Sequence, residues 1–358
     1  MSPTRRHAVR IIPRPILPPL RSGIHRIETV YNVVVDLDVD GATGTGFCFA
    51  FHEREAVALR ALTEMLLEEL DGYHDWSQVR RIWTDLWAML NHIGQSGPPV
   101  VALAAVDTAL WDLLGHQLGT PLHVMWGSGR DRVPTYASGG WLSYSTDELL
   151  AEAERFVAAG FTRYKMKIGS RDHDADIARV REVSDALRGR AELMVDANQA
   201  YSRPAALRMG RRLQDLGVDW FEEPVDAADF EGSAALAAAL DMRIAAGETV
   251  FGVEGMRTMI AAGAADVLMP DLMRCGGLTP LRDVPVLGAV ARLDVAPHLF
   301  PEICAHVAAS SPGDVLLEYL PRWWEGFYAR APKLDGGSFV LDDTPGLGIE
   351  IAADLPVL

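Results

Sequence analysis

Cysteine is scarce in this chain: Cys48, Cys275 and Cys304 are three thiols set far apart. They cannot build a disulfide framework or a thiolate zinc site, and they suit a reducing, cytoplasmic setting. Positive charge is also short, with 33 Lys and Arg against 49 Asp and Glu and a formal net charge of −16. That balance repels nucleic acid and anionic lipid, so neither is an expected partner. A small anionic substrate would need a local positive charge or a bound cation. No run reaches the ~18 consecutive apolar residues that a membrane-spanning helix requires. The opening MSPTRRHAVRIIPRPILPPLRSG is basic and lacks the apolar core of a signal peptide. Its prolines between Pro13 and Pro19 exclude a helix, so it is expected to form a short strand followed by a mobile loop. What is present is ordinary: 358 residues, 49% hydrophobic and 23% charged, enough for two or three domains or for one large barrel with an appendage.

Residues 27–51, IETVYNVVVDLDVDGATGTGFCFAF, are β-branched and aromatic around a glycine-rich turn and predict an antiparallel hairpin. Gly41, Gly44 and Gly46 are assigned to turn chemistry, because no helix follows to make them a dinucleotide fingerprint. From Glu53 to about Gly119 apolar residues recur at helical spacing, giving strands followed by helices, an α+β unit. From about Val133 short strands alternate with helices: VPTYASG, FTRYKMKIG, AELMVDANQ, DWFEEP, RIAAGE, ADVLMPD, LDVAPH and VLLEY. Eight βα-type strands within about 190 residues fit a closed parallel barrel better than an open sheet.

The strands end in polar residues: Lys165 and Lys167, Asp196, Glu222 and Glu223, Glu248, Asp271, His298 and Glu318. In a (β/α) barrel these tips open on one face, where active sites lie. Asp196, Glu222 and Glu248 come from three successive strands; unneutralised, such acids would repel until one protonated. A hard divalent cation removes the conflict, and all-oxygen ligation favours Mg²⁺ over zinc. Capping of the following helices is the plainer alternative for any one acid, and it fails to account for three in consecutive repeats. Lys165 and Lys167 alternate on one strand and so share a face. Beside a cation and each other their pKa is expected to fall, which frees an amine to act as base. His298, on the seventh strand, has Asp271 on its neighbour to orient it. Glu318 is expected to stay protonated and to donate to a developing oxyanion. Together these groups suit removal of a proton next to a carboxylate through an enediolate.

The stretches YKMKIG, LMVDANQ, WFEEP, AAGE, LMPDLMRCGG, APHLFPEICAH and LLEYL, in this order from about residue 27 onward, resemble the enolase superfamily and its mandelate racemase subgroup. A base working beside bound Mg²⁺ is general to that superfamily. The resemblance implies a modified TIM (β/α)7β-type barrel over 131–325, an α+β capping domain over 1–130 and a segment 326–358 that returns to the cap. It implies Mg²⁺ on Asp196, Glu222 and Glu248; a base at Lys167 with Lys165 beside it; His298 with Asp271 as the opposite acid/base; Glu318 as electrophilic donor; and Asn198 as a polar contact near the metal. Loops around 14–26 and 47–54 are expected to cover the substrate, and Asp107, Trp111 and Asp112 in AVDTALWDLLGH to be structural. A symmetric homo-oligomer, often an octamer, is implied as well.

The flanks SGGWLS and LMVDANQAYSRPAALRMGRRL look most like talarate/galactarate-type acid-sugar dehydratases, whereas HLFPEICAH is closer to mandelate racemase. Residues 264–282 hold no lysine, only Arg274 and Arg282, which disfavours the lactonising and dipeptide-epimerising relatives. The leading expectation is dehydration of an aldarate or aldonate to a 2-keto-3-deoxy acid. Racemisation or epimerisation of a 2-hydroxy acid is the second, and a non-catalytic binding paralogue a remote third. Arg14, Arg21 and Arg26 are candidates for clamping a distal carboxylate, with surface solvation the plainer alternative. Trp323, Trp324 and Phe327 are expected either to wall the site or to pack cap against barrel.

Overall fold

The alternating residues of 26–50 form β2 (Arg26–Val39) and β3 (Ala42–Ala50), reversed at Asp40 and Gly41 with φ of 53° and 86°. Two residues at positive φ give the hairpin turn whose twist matches paired strands. The computed structural model, which describes residues 5–358, adds β1 (Arg5–Arg21) antiparallel to β2. The short strand and mobile loop expected here are thus corrected to a long strand. Its ladder passes Pro13 and Pro15, slips between Pro15 and Leu20, and resumes to Arg21. Proline is tolerated because β1 is an edge strand, paired among the described strands with β2 alone, so the missing N–H groups cost no ladder bond. Residues 22–25 connect the two strands.

Helices α1 (Glu53–Glu68), α2 (Val79–Met89) and α3 (Pro98–Leu118) complete this unit, with α3 packed on β3. Gly41 does serve the turn, but Gly44 and Gly46 lie inside β3 and let α3 approach. A Cβ on Gly46 would stand 2.1 Å from the Ala105 carbonyl oxygen, and one on Gly44 2.1 Å from that of Ala109. Both obstacles are backbone and cannot swing aside. Gly46→Ala is therefore expected to cost about 3 kcal/mol of stability through overpacking, read as a lower urea midpoint at unchanged slope. Helix α3 is long and apolar enough to cross a membrane by length and composition, yet 83% of its most apolar window is buried inside the protein. It is a core helix.

A short turn, α4 (Leu122–Met125), leads into the barrel. The chain then runs β4 (Arg132–Gly139), α5 (Thr146–Ala158), β5 (Arg163–Lys167), α6 (His173–Leu187), β6 (Glu192–Asp196), α7 (Arg203–Asp215) and β7 (Trp220–Glu222). It continues through α8 (Phe230–Ala239), β8 (Arg243–Ala246), α9 (Gly252–Ala261) and β9 (Val267–Leu268) to three short helices, α10 (Leu272–Cys275), α11 (Leu278–Leu281) and α12 (Val284–Ala291). Strand β10 (Asp294–Val295), α13 (Pro301–Ser310) and β11 (Leu317–Tyr319) finish the circuit. Strands β4 to β10 pair in order, β11 pairs in parallel with β4, and a parallel bridge joins Val295 of β10 to Val315, two residues before β11, closing the barrel. Tyr136, Met194, Trp220, Val267 and Met269 plug its interior, while Tyr164, Met166, Val195 and Phe221 face the helices. With the interior filled, only the mouth is free for chemistry.

The segment after β11 serves both units rather than the cap alone. Strand β12 (Tyr328–Arg330) pairs with β15 (Glu350–Ile351), while β13 (Lys333–Asp335) and β14 (Ser338–Val340) form a hairpin against the start of β4. Asp112 joins the cap hairpin to this segment, accepting from Thr45 N at 2.8 Å and Leu347 N at 2.7 Å. Asp107 accepts from Thr279 N and Oγ1 at 2.8 and 2.6 Å, and Trp111 Nε1 donates to the same hydroxyl, fixing α3 to α11. Buried His306 on α13 donates from Nε2 to the Leu347 carbonyl at 2.9 Å and accepts at Nδ1 from His123 N at 3.2 Å. Burial pushes its pKa down to about 4. The unfolded chain therefore takes up this proton first, near pH 6.5, and stability falls as pH drops from there towards 4, by at most about 3 kcal/mol. Urea midpoints at pH 7 and pH 5 test this: the fall should shrink in His306→Asn.

Candidate active site

Register on the barrel brings the polar tips together. Lys167 pairs with Asp196, Asp196 with Glu222, and Glu222 with Ala245, one layer running across β5 to β8. Lys165 and Lys167 point inward because Tyr164 and Met166 between and beside them pack outward against the helices. Glu248 follows β8 by two residues, and Asp271 and His298 each follow their strands by three, joined to one another by a parallel bridge.

The three acids offer ligand atoms within 4.8 Å of one another. Asp196 contacts Lys167 Nζ and is held by Asn198, whose N and Nδ2 donate at 2.7 and 3.0 Å. Glu222 Oε1 accepts from Lys165 Nζ at 2.6 Å. Glu222 Oε2 and Glu248 Oε2 are buried without a hydrogen-bond partner among the described residues, although His298 Nε2 lies 3.5 Å from the latter. Burial beside other acids pushes the Glu222 carboxyl well up. Orphaned carboxylate oxygens aimed at one point are what a hard divalent cation satisfies, so the donor set fits Mg²⁺.

Lys165 is wholly buried between Glu222 and Glu318, 2.9 Å from the latter, with Tyr136 Oη at 3.3 Å. Burial alone would lower both lysines, but Glu222 and Glu318 around Lys165, and Asp196 beside Lys167, outweigh it and hold both above the ordinary value. The lowering expected beside a cation and a second lysine is not supplied by the protein's own groups: the acid neighbours dominate, and a cation among them would be needed to cancel their pull. The expectation for Glu318 is corrected. Burial opposes its charge, yet Lys165, His298 and Lys167 hold its carboxyl below the usual range, and Leu299 N donates to it at 3.1 Å. It is an ionised acceptor that fixes Lys165 rather than a protonated donor. His298 Nδ1 lies 2.8 Å from Asp271 Oδ2, while Asp271 Oδ1 caps α10 through Arg274 N at 2.9 Å. Burial opposes the imidazolium, but Glu248 and Asp271 push its pKa up to about 10.

Above the acids lies a cavity of about 570 Å³, lined by Lys167, Asn198, Glu248, Asp271, His298 and Glu318 together with residues of the cap. The expected covering loops contribute less as loops than as structure: 14–21 and 47–50 are strand, yet Ser22, Ile24, His25, Phe49 and Phe51 do reach the cavity. Trp323 lines it, whereas Trp324 and Phe327 pack on Phe47 with ring centroids 5.8 and 5.2 Å away, so the aromatic cluster after β11 divides between the two roles considered. Arg14, Arg21 and Arg26 do not line it: Arg14 reaches the Glu325 carbonyl, Arg26 pairs with Glu28 at 2.7 Å, and Arg21 is exposed.

Two contributors escaped the sequence. Tyr136 supports Lys165 from β4, and His25 reaches the cavity from the β1–β2 connection. Glu223, the second acid of WFEEP, turns aside to Gln199 and Thr249 at 2.7 and 2.9 Å. Its direction follows from a backbone φ of 37°; Asn198, Gln199, Leu299 and Phe300 are likewise at positive φ. Such strain in residues other than glycine gathers at functional sites and has no sequence signature.

Residues 6–127 match the mandelate racemase / muconate lactonizing enzyme N-terminal domain, and residues 148–355 the enolase C-terminal domain-like family. The chain is 34% identical over 315 residues to L-talarate/galactarate dehydratase of Salmonella typhimurium, covering 87% of this chain and 78% of that one. It is 31% identical over 351 residues to L-Lys-D/L-Arg epimerase of Methylococcus capsulatus, covering 94% and 95%. The crystal structure of the Salmonella dehydratase with Mg and L-lyxarohydroxamate superimposes with a TM-score of 0.93 at 30% identity, over 99% of this chain and 91% of that chain. An N-terminal cap, a closed α/β barrel and both domain matches agree: the chain belongs to the mandelate racemase / muconate lactonizing enzyme family of the enolase superfamily.

Proposed function

We propose that the protein is an Mg²⁺-dependent lyase that removes the proton α to the carboxylate of a polyhydroxy acid and expels the β-hydroxyl, giving a 2-keto-3-deoxy acid. The observation that carries this is that Lys167 contacts Asp196 while His298 lies 3.5 Å from Glu248, so that the two flank an acid triad with unsatisfied oxygens. Asp196, Glu222 and Glu248 would hold the cation, which when bound polarises the substrate carboxylate and offsets charge developing on it. Lys167, as the neutral amine, takes the C2 proton. His298, kept protonated by Asp271, delivers a proton to the departing hydroxyl, so that water leaves and the resulting enol tautomerises to the keto acid. Lys165, held between Glu222 and Glu318, keeps a positive charge beside the carboxylate. The two named relatives, a dehydratase and an epimerase, support this chemistry and its alternative.

The alternative is racemisation or epimerisation, favoured by the same opposed pair: with no β-hydroxyl to lose, Lys167 and His298 pass the proton between faces. Incubation of the Mg²⁺-loaded protein with aldarates, aldonates and 2-hydroxy acids in D₂O separates the two. A 2-keto acid supports the lyase, C2 deuterium with altered optical rotation and no keto acid supports the isomerase, and silence across the set counts against both. Assembly as a symmetric homo-oligomer belongs to the same proposal, and a monomer mass by light scattering overturns it.

A further inference from the structure

We infer that the end of the substrate remote from its metal-bound carboxylate is uncharged and apolar, an alkyl or aryl group rather than the second carboxylate of a diacid. This rests on the proposed function only in taking the head group to be a 2-hydroxycarboxylate. The cap contributes Ile27, Phe49, Phe51, Leu59 and Val101 to the cavity lining, and Trp323 lines it as well. The rings form one continuous surface: Phe49 to Phe51 is 5.6 Å between centroids, Phe51 to Trp323 5.7 Å and Phe49 to Trp323 5.8 Å. Trp141 extends it, stacked on Trp323 at 6.2 Å and 14°. Such a wall rewards an apolar group, and the neutral Trp323 Nε1–H that it carries, unpartnered among the described residues, does little to offset the desolvation of a buried anion.

The charges present do not reverse this. The three arginines that a diacid would have called on lie outside the cavity. Among the described residues Arg274 brings the only guanidinium to the lining, but Glu55 shares that lining, and the Arg274 guanidinium carbon lies 5.3 Å from the Phe251 ring centroid, a ring that is not part of the wall. His25 meets Phe51 in a tilted contact at 5.5 Å and 53°, and burial holds its pKa below the ordinary value.

The test titrates Mg²⁺-loaded wild-type protein, by calorimetry, with three acids that share one head: 2-hydroxyhexanoate, 2-hydroxy-4-phenylbutanoate and 2-hydroxyadipate. The first two should bind at least about 10-fold more tightly than the diacid, a difference of about 1.4 kcal/mol. Phe51→Ser, at a half-buried position, should narrow that ratio. Equal or tighter binding of 2-hydroxyadipate overturns the inference, and its loss in Arg274→Gln would assign the far end to that guanidinium. Deuterium exchange at C2 of the same acids reads the proposed chemistry separately. Exchange with the diacid preferred sinks only the apolar end, whereas selective binding of the apolar acids without exchange sinks only the chemistry.

Discussion

Lys167→Ala should lower C2 proton exchange by about 10²–10⁴-fold, the range a positioned general base supplies. The loss should depend on the face of the substrate. Lys167 lies on β5 and His298 beyond β10, three strand positions apart around the mouth, so each reaches a different side of C2. Exchange from the enantiomer served by Lys167 should vanish in Lys167→Ala and survive in part in His298→Asn, with the reverse for the other enantiomer. Equal loss for both enantiomers in both variants would mean that the two groups act as one unit on one face. Because Lys167 contacts Asp196, the variant also frees a carboxylate oxygen at the triad. Mg²⁺ affinity should therefore hold or rise, which separates a missing base from a damaged metal site.

Glu248→Gln should abolish activity to the level of chelated wild-type protein. Glu248 is the informative ligand to change: Asp196 also holds Lys167 and Asn198, and Glu222 holds Lys165, whereas Glu248 Oε2 has no hydrogen-bond partner among the described residues. Removing its charge therefore breaks no hydrogen bond among the described residues, although it also weakens the pull that keeps His298 protonated. In the wild type, Mg²⁺ at 100 times its Kd should raise stability by about 2.7 kcal/mol, since only the folded chain assembles the triad. That rise, seen as a higher thermal midpoint, should be lost in Glu248→Gln even though the metal-free variant melts at or above the metal-free wild type. Relief of repulsion among buried acids gives the latter sign. A variant that still shows the full Mg²⁺ shift would take Glu248 out of the ligand set.

Much of the mouth was legible because the βα repeat delivers one polar tip per unit, and a tip's neighbours in space are its neighbours in repeat order. Lys167, Asp196 and Glu222 fall in one layer for that reason. Protonation states were not legible. The sequence shows two lysines in alternation, but not that Glu222 and Glu318 enclose Lys165 and outweigh its burial, nor that Glu318 is itself enclosed by cations. Proline content argued for a loop at 14–26, and the edge position that admits proline into a strand became visible only once β1 had a single partner. Gly44 and Gly46 were assigned to a turn because the helix that needs their bareness lies some sixty residues further along, in a contact that no local pattern records. His25 followed the same rule: its part depends on a connection that the strand, not the loop, brings over the mouth.

The Asp112 carboxylate serves two amides, one of them on Leu347, 235 residues later in the chain. At about 5–20 residues per second, roughly 10–50 s of translation pass before that second partner exists. Throughout that interval a nascent cap has its hairpin and helices but lacks the segment that seals them, and it presents unsatisfied polar and apolar surface to the crowded cell. Yield in a recombinant host is therefore expected to follow chaperone supply and growth temperature more closely than the equilibrium stability of the finished enzyme.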